Sequence, residues 1–377
     1  MGDDREHLRR RPGVERAEVG RMRVLIAPDS FGDTLTAVEA ANAIGEGWSA
    51  GRPDDEITLA PQSDGGPGFV DVLAARFGRT VTERVVGPLG AAITAQWLLD
   101  DREPERLVAY IECAQACGLH QLGGGPTPRT AQSADTYGVG LLVDAALQAG
   151  VREVVVGLGG SATTDGGHGL IDALGGSARA AERFADVALI AASDVENPLL
   201  GPLGAASVFG PQKGADPETV GRLEERLAQW SRVLASIAGR DVSGEPGAGA
   251  AGGLGAALLA LGARRVSGAT VVGEATDQAT AIARTDLVLT GEGKFDSQTL
   301  RGKVVSALNA AATEVGAPTV VFAGQVALTP DEIAEAGIAG AHSIVDQAGS
   351  VELAMSDARN QLTALAARAA ASWLPSG

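Results

Sequence analysis

Residues 151–169 read VREVVVGLGGSATTDGGHG, and the organisation of the chain can be worked out from them. Val154, Val155 and Val156 make the short β-branched run expected of a buried parallel strand. The run opens into Gly157, Gly159 and Gly160, then Ser161, Thr163, Thr164, Asp165, Gly166, Gly167 and Gly169. Leu170, Ile171, Ala173 and Leu174 then return at helical spacing. A strand, a glycine loop and a helix start together aim backbone N–H groups at an anion. The hydroxyls and Asp165 offer oxygens to a phosphate or to Mg²⁺. A tight turn alone would also account for the glycines. The spacing Gly157-x-Gly159-x-x-Ala162 meets the dinucleotide fingerprint as well. Gly166, Gly167 and Gly169 argue against that reading, because they fall where its helix must run unbroken. No G-x-x-x-x-G-K-[ST] occurs, which excludes a P-loop.

The chain has 377 residues, a length that suggests two domains. Aromatic residues are only 3% of it, so the core must be built from Val, Leu, Ile and Ala. Its 52 glycines are about twice the usual share of ~7% but fall in clusters, a pattern of working loops rather than disorder. A net charge of −17 disfavours nucleic acid and anionic membranes as partners. Cys113 and Cys117, with four scattered histidines, do not make a zinc site. Two thiols suit a reducing, cytoplasmic setting. The charged N-terminus lacks an apolar signal core, and no apolar run approaches the ~20 residues of a membrane span.

Residues 1–21 are charged and aperiodic and read as a disordered extension. Two strand–loop–helix units follow. The strand 24–27 ends at Pro28-Asp29-Ser30, and the strand 57–60 ends at Ser63-Asp64-Gly65-Gly66. Thr36 with Glu39 predicts a capping box for the helix from Ala37. From residue 79 the segments 81–86, 93–99 and 108–112 use antiparallel vocabulary. Helices are expected at 139–149 and Pro217–Ala238, and strands at 187–191, 286–290 and 319–323. Alternation of strand and helix at both chain ends makes the α/β domain discontinuous, residues 22–78 with 286–377, and the α+β domain at 79–285 an insertion.

Several motifs then carry a family resemblance. They are Ala27-Pro28-Asp29-Ser30-Phe31, Ser63-Asp64-Gly65-Gly66, Gly87-Pro88-Leu89-Gly90, the Gly157–Gly167 loop and Ser193-Asp194-Val195-Glu196-Asn197-Pro198-Leu199. Further on come Phe209-Gly210-Pro211-Gln212-Lys213-Gly214-Ala215, Pro246-Gly247-Ala248-Gly249-Ala250-Ala251-Gly252-Gly253, and Thr290-Gly291-Glu292-Gly293 with Asp296, Gln298, Gly302 and Lys303. In this order they resemble the type-1 glycerate kinases, from Met22 to about Gly324. The resemblance implies ATP- and Mg²⁺-dependent phosphorylation of D-glycerate. It also implies a flavodoxin-like α/β domain and an inserted α+β domain with the site in the cleft between them. The chain departs from the family pattern at Gly32 for Lys, Pro67 for Glu, Phe69 for Thr, Leu141 for Glu and Thr164 for Asn. These changes predict a less polar mouth, and with it weak D-glycerate activity or a larger, less charged hydroxy acid.

Phosphoryl transfer needs charge neutralisation and positioning. Asp165, Glu292 and Asp296 are the expected Mg²⁺ ligands. One of Asp165, Asp194, Glu292 and Asp296 would take the hydroxyl proton, with Asp194 favoured, and Lys213 and Lys303 would meet a phosphate or the substrate carboxylate. Gly159, Gly160, Ser161, Thr163, Gly166, Gly291 and Gly293 are expected at the nucleotide, and Asp29, Ser30, Asp64, Gly65 and Gly66 at the substrate. The residues leave open whether position 2 or 3 of glycerate is phosphorylated. Two other readings stand beside this one: a catalytically weakened relative that binds a small acid or nucleotide, and a nicotinamide oxidoreductase.

Overall fold

A computed structural model describes residues 20–32, 34–297, 299–301 and 304–373. The extension expected at the N-terminus lies, up to residue 19, outside the described residues. Two sheets organise the rest. Sheet A joins β1 (Arg23–Ile26), β2 (Glu56–Leu59), β9 (Leu287–Phe295), β10 (Thr319–Val326) and β11 (Gly340–Ser343), all parallel. Its order is β2-β1-β9-β10-β11, which, counting only its own strands, is the flavodoxin-like 2-1-3-4-5. The strand order reverses between β1 and β9, where such sheets bind ligands beyond the strand C-termini.

Sheet B runs β3 (Arg79–Val86), β4 (Ala92–Asp100), β5 (Val108–Glu112), β6 (Glu153–Gly157), β7 (Ala188–Ala192) and β8 (Arg264–Val266), in that order. The first three strands pair antiparallel, as their alternation predicts. From β5 to β8 the pairing is parallel. β5 is buried along its whole length, the mark of a strand covered on both faces. The fold is therefore α/β in two domains, a discontinuous parallel-sheet domain and an inserted mixed one.

Packing joins the two. The helices Ala37–Gly51 and Ala358–Ser372 lie together on one face of sheet A. At Gly47 a Cβ would come within 2.8 Å of the Ala366 methyl, so this approach needs glycine. The helix Phe69–Ala74 follows β2 in the chain but covers sheet B, where Phe69 meets Tyr110 edge-on at 6.2 Å. Conversely Ile282, in the helix Gln278–Ala283, packs with Leu25, Val288 and Leu308 of the sheet A side. Two short helices thus cross the seam in opposite directions.

Candidate active site at the seam

The C-terminal ends of β1, β2 and β9 are tied by their own backbones. Asp29 N–H donates to Gly291 O at 2.8 Å, and Gln62 N–H to Pro28 O at 2.8 Å. The chain after β2 then enters the rim of sheet B. Gly65 O accepts from Gly159 N–H at 3.0 Å, and a Cβ on Gly65 would sit 2.7 Å from Ala192 O. Pro67 covers Gly160, and Gly268 packs against the Asp64 backbone. The loop Asp64-Gly65-Gly66 is thereby wedged among the ends of β6, β7 and β8.

Asp64 and Asp194 share this rim through Gly268, which packs on the Asp64 backbone and whose N–H donates to Asp194. Burial at the seam raises the Asp194 carboxyl above its ordinary range, although one side stays open to solvent; the Ser267 hydroxyl draws it down and the like charge of Asp64 pushes it up again. On the same rim Glu112, at the end of β5, is 3% exposed and accepts from Gly68 N–H at 2.9 Å and Val70 N–H at 3.5 Å. Burial pushes its carboxyl up to about 7, against those backbone bonds. Glu112 was not singled out from sequence; a lone carboxylate closing the wholly apolar run Val108–Ile111 was the available signal.

The second half of the glycine loop turns inward. Asp165 Oδ2 accepts from Thr136 N–H (2.9 Å), Thr136 Oγ1 (2.7 Å) and Gly169 N–H (3.0 Å), and Oδ1 from Gly167 N–H (3.1 Å). Expected at a magnesium ion, this carboxylate instead knits the Tyr137–Gln148 and His168–Ala173 helix starts together. Thr163 and Gly166 are buried as well, with Gly166 O accepting from Trp230 Nε1 at 2.9 Å and Thr164 O from an Arg226 nitrogen at 2.8 Å. Lys213, 3% exposed, reaches the loop from behind. Its Nζ donates to Thr163 O at 2.6 Å and to Ser161 Oγ at 3.0 Å, and burial lowers its pKa to about 8. Of the nucleotide residues expected in this loop, Gly159 and Gly160 reach the open rim, whereas Ser161, Thr163 and Gly166 face the interior.

On sheet A, Gly291 and Gly293 flank Glu292 at the end of β9, with Gly293 close against Phe31 and Gly32. Asp29 Oδ1 accepts from Ser30 N–H at 2.7 Å. Asp296 pairs with Lys294 at 3.3 Å. Glu292 and Asp296 are four positions apart along extended chain, about 13 Å, and Asp165 lies in the other domain. Among the described residues no three His, Cys, Asp or Glu side chains form a metal-sized group. Gln298, Gly302 and Lys303 lie outside the described residues. The departures from the family pattern also separate. Gly32 is exposed and Pro67 stands at the rim, but Phe69 is fully buried under sheet B and Leu141 packs against the other core of that domain. Phe69 and Leu141 therefore do not make the mouth less polar.

A cavity of about 570 Å³ at the opposite, N-terminal end of β5–β8 mixes Arg102, Arg106 and Arg264 with Asp100, Glu103 and Glu153, away from these loops. The seam, with glycine loops and carboxylates at the C-terminal ends of both sheets, is the cleft of a two-domain α/β enzyme. Comparison agrees. A sequence model described as the glycerate kinase family matches residues 24–183 and 176–374. The glycerate kinase of Halalkalibacterium halodurans is 38% identical, over 88% of this chain and 93% of its own. An uncharacterized protein of Mycobacterium bovis is 56% identical, over 95% and 93%. The crystal structure of a putative glycerate kinase 2 from Salmonella typhimurium superposes with a TM-score of 0.75 at 34% identity, covering 94% of this chain and 98% of that one. The chain belongs to the glycerate kinase family and is a kinase with an alcohol acceptor. Among the described residues no helix is long and apolar enough to cross a membrane.

Proposed function

We propose that the protein transfers the terminal phosphoryl group of ATP to a hydroxyl of D-glycerate. The observation that carries the reading is the rim shared by Asp64, from the sheet A side, and Asp194 on sheet B, beside Gly159 and Gly160. A carboxylate held above its usual range at an open rim is suited to accept the hydroxyl proton, and Asp194 takes that role. Asp64 would be the oxygen donor for Mg²⁺, an ion that is commonly held by one or two carboxylates with phosphates and water completing its shell. Bound there, the ion would supply charge neutralisation for the phosphates. The backbone of Gly160, exposed at the rim, orients the polyphosphate, with Gly159 held in place by its N–H bond to Gly65 O, while Asp29 and Ser30 orient the acid. Asp165 and Lys213 act as positioning residues that hold the loop from within. Because the helix Phe69–Ala74 packs on sheet B and Ile282 on the sheet A side, the hinges of this scheme fall before Phe69 and before Gln278 rather than near residues 78 and 285.

A coupled assay with ATP, Mg²⁺ and a panel of small hydroxy acids tests the reading. D-glycerate should be the preferred acceptor, and Asp194→Asn should lower kcat by about 10²-fold or more without loss of fold. Equal turnover by wild type and Asp194→Asn would remove Asp194 from the chemistry. ATP binding without turnover of any acid would favour the weakened, ligand-binding relative.

A further inference from the structure

A second cavity, of about 350 Å³, opens in the seam beside the acid pair. It lies between the helices Gly268–Ala275 and Gln278–Ala283 on one side and Val304–Glu314 on the other, with Gln62 at its inner end. Ala269, Ile282, Val304 and Leu308 give it apolar walls. Its size and its place between domains are those of small-molecule sites.

Two polar features specify the occupant. The amide nitrogen of Gln278 is buried without a hydrogen-bond partner, and its amide oxygen lies where Gly273 leaves space: a Cβ there would be 2.8 Å away. A buried donor left unmade is costly, so a ligand acceptor placed against it is favoured. The charged residues at the cavity are Glu274 and Asp277, and no Lys or Arg lines it among the described residues. A carboxylate or phosphate would be repelled, so D-glycerate and the polyphosphate are poor occupants. A neutral, flat group with acceptors for Gln278 and donors for oxygen atoms fits.

The cavity also borders the proposed reaction site through two of its lining residues. Ser267 lines it and hydrogen-bonds Asp194, and Gln62 stands two residues before Asp64. Gln62 is 1% exposed and spends its amide N–H on Ala60 O at 2.7 Å, which fixes the side chain with its oxygen as the acceptor it can present. A molecule seated here reaches the carboxylate pair with its other end. We propose that this cavity holds the adenine base of the nucleotide donor, with Gln278 donating to a ring nitrogen and the walls of Ile282, Val304 and Leu308 enclosing its faces. The assignment rests on the kinase reading above and adds the seat and the recognition of the base.

The test uses the full chain. Ala307, exposed on the Val304–Glu314 helix, lines the cavity, so Ala307→Trp fills it from outside with little demand on the core. Gln278→Leu removes the donor at nearly constant volume. Binding of ATP, adenosine and inorganic tripolyphosphate is measured by titration calorimetry, with circular dichroism to confirm folding. Ala307→Trp should weaken ATP and adenosine by about tenfold or more and leave tripolyphosphate within about twofold. Gln278→Leu should weaken both nucleosides by about three- to tenfold, the scale of one hydrogen bond. ATP binding unchanged in the folded variants would overturn the base assignment while leaving the kinase reading intact. Wild-type protein that binds tripolyphosphate but neither ATP nor adenosine would overturn it too, and wild type without ATP-dependent turnover would sink the kinase reading itself.

Discussion

Asp64 and Asp165 make the same turn in opposite surroundings. Each Oδ1 accepts from the amide two residues on, Gly66 at 3.0 Å and Gly167 at 3.1 Å, and each is followed by a glycine pair. Asp64 then stands open at the seam beside Asp194, whereas Asp165 is 6% exposed and ringed by donors from two helix starts. Their substitutions should separate. Asp165→Asn turns an amide NH₂ toward N–H donors and should cost about 2–4 kcal/mol in urea unfolding. Asp64→Asn should leave stability within about 0.5 kcal/mol and lower kcat/KM about 10²-fold, roughly 2.7 kcal/mol of transition-state stabilisation. The reverse pattern would exchange the two roles.

Stability should pass through a shallow minimum between about pH 7 and 8. Glu112 titrates near 7 when folded against 4.5 unfolded, so the native state binds more protons in that window and stability falls as pH rises through it. Lys213 titrates near 8 when folded against 10.5, so the unfolded state binds more protons there and stability rises from 8 to 10.5. Each contribution is at most about 3.4 kcal/mol. Denaturant midpoints taken from pH 5 to 10 check this. Glu112→Gln should flatten the falling limb, and Lys213→Met the rising one.

Gly32 lies at φ +58 with no atom within 4 Å of a built Cβ. Gly32→Lys should therefore fit in space yet cost about 1 kcal/mol for the left-handed backbone. If the added cation meets the acid substrate, KM for D-glycerate should fall by about tenfold, the worth of one charge-assisted contact. Pro67→Glu is expected to do less, because Pro67, though exposed at the rim, lays its ring over Gly160 and that cover would be lost. An unchanged KM in Gly32→Lys, measured by steady-state kinetics, would mean that the native site lacks nothing at this position.

Trp230 holds the glycine loop by its Nε1 bond to Gly166 O and lies against His168, the rings tilted at 59° with centroids 4.4 Å apart. Trp230→Phe keeps a ring but loses the bond. It should lower unfolding stability by about 1–2 kcal/mol, and amide exchange at Gly166 and Gly167 should quicken. Protection unchanged at those amides would show that Arg226 and Lys213 alone suffice.

Much of the scaffold was legible from periodicity. The helix Pro217–Ala238 matches its amphipathic run end to end, and the Thr36–Glu39 capping box is present. The strand ends carrying Asp29, Asp64 and Asp194 read out directly, since short apolar runs stopped by polar loops leave little choice. β8 and β11 escaped because three- and four-residue edge strands carry no period. The site was harder. Sequence spacing treats Asp64-Gly-Gly and Asp165-Gly-Gly alike, and only the packing of Thr136 and Arg226 turns the second inward. Phe69 reads as a mouth residue from its place beside the Asp64 loop, but its helix leaves one domain to cover the sheet of the other.

The split of sheet A bears on how the polypeptide matures. Sheet B draws its six strands from one unbroken stretch, Arg79 to Val266, and can assemble as soon as that stretch leaves the ribosome. β1 and β2 must wait, because Arg23 meets Asp286 only after 263 further residues have been made. Until then their paired edges are unfinished and available to other chains. Truncation before Leu287 would leave a sound inserted domain attached to a two-stranded, aggregation-prone remnant. The last quarter of the chain thus decides whether β1 and β2 fold or precipitate.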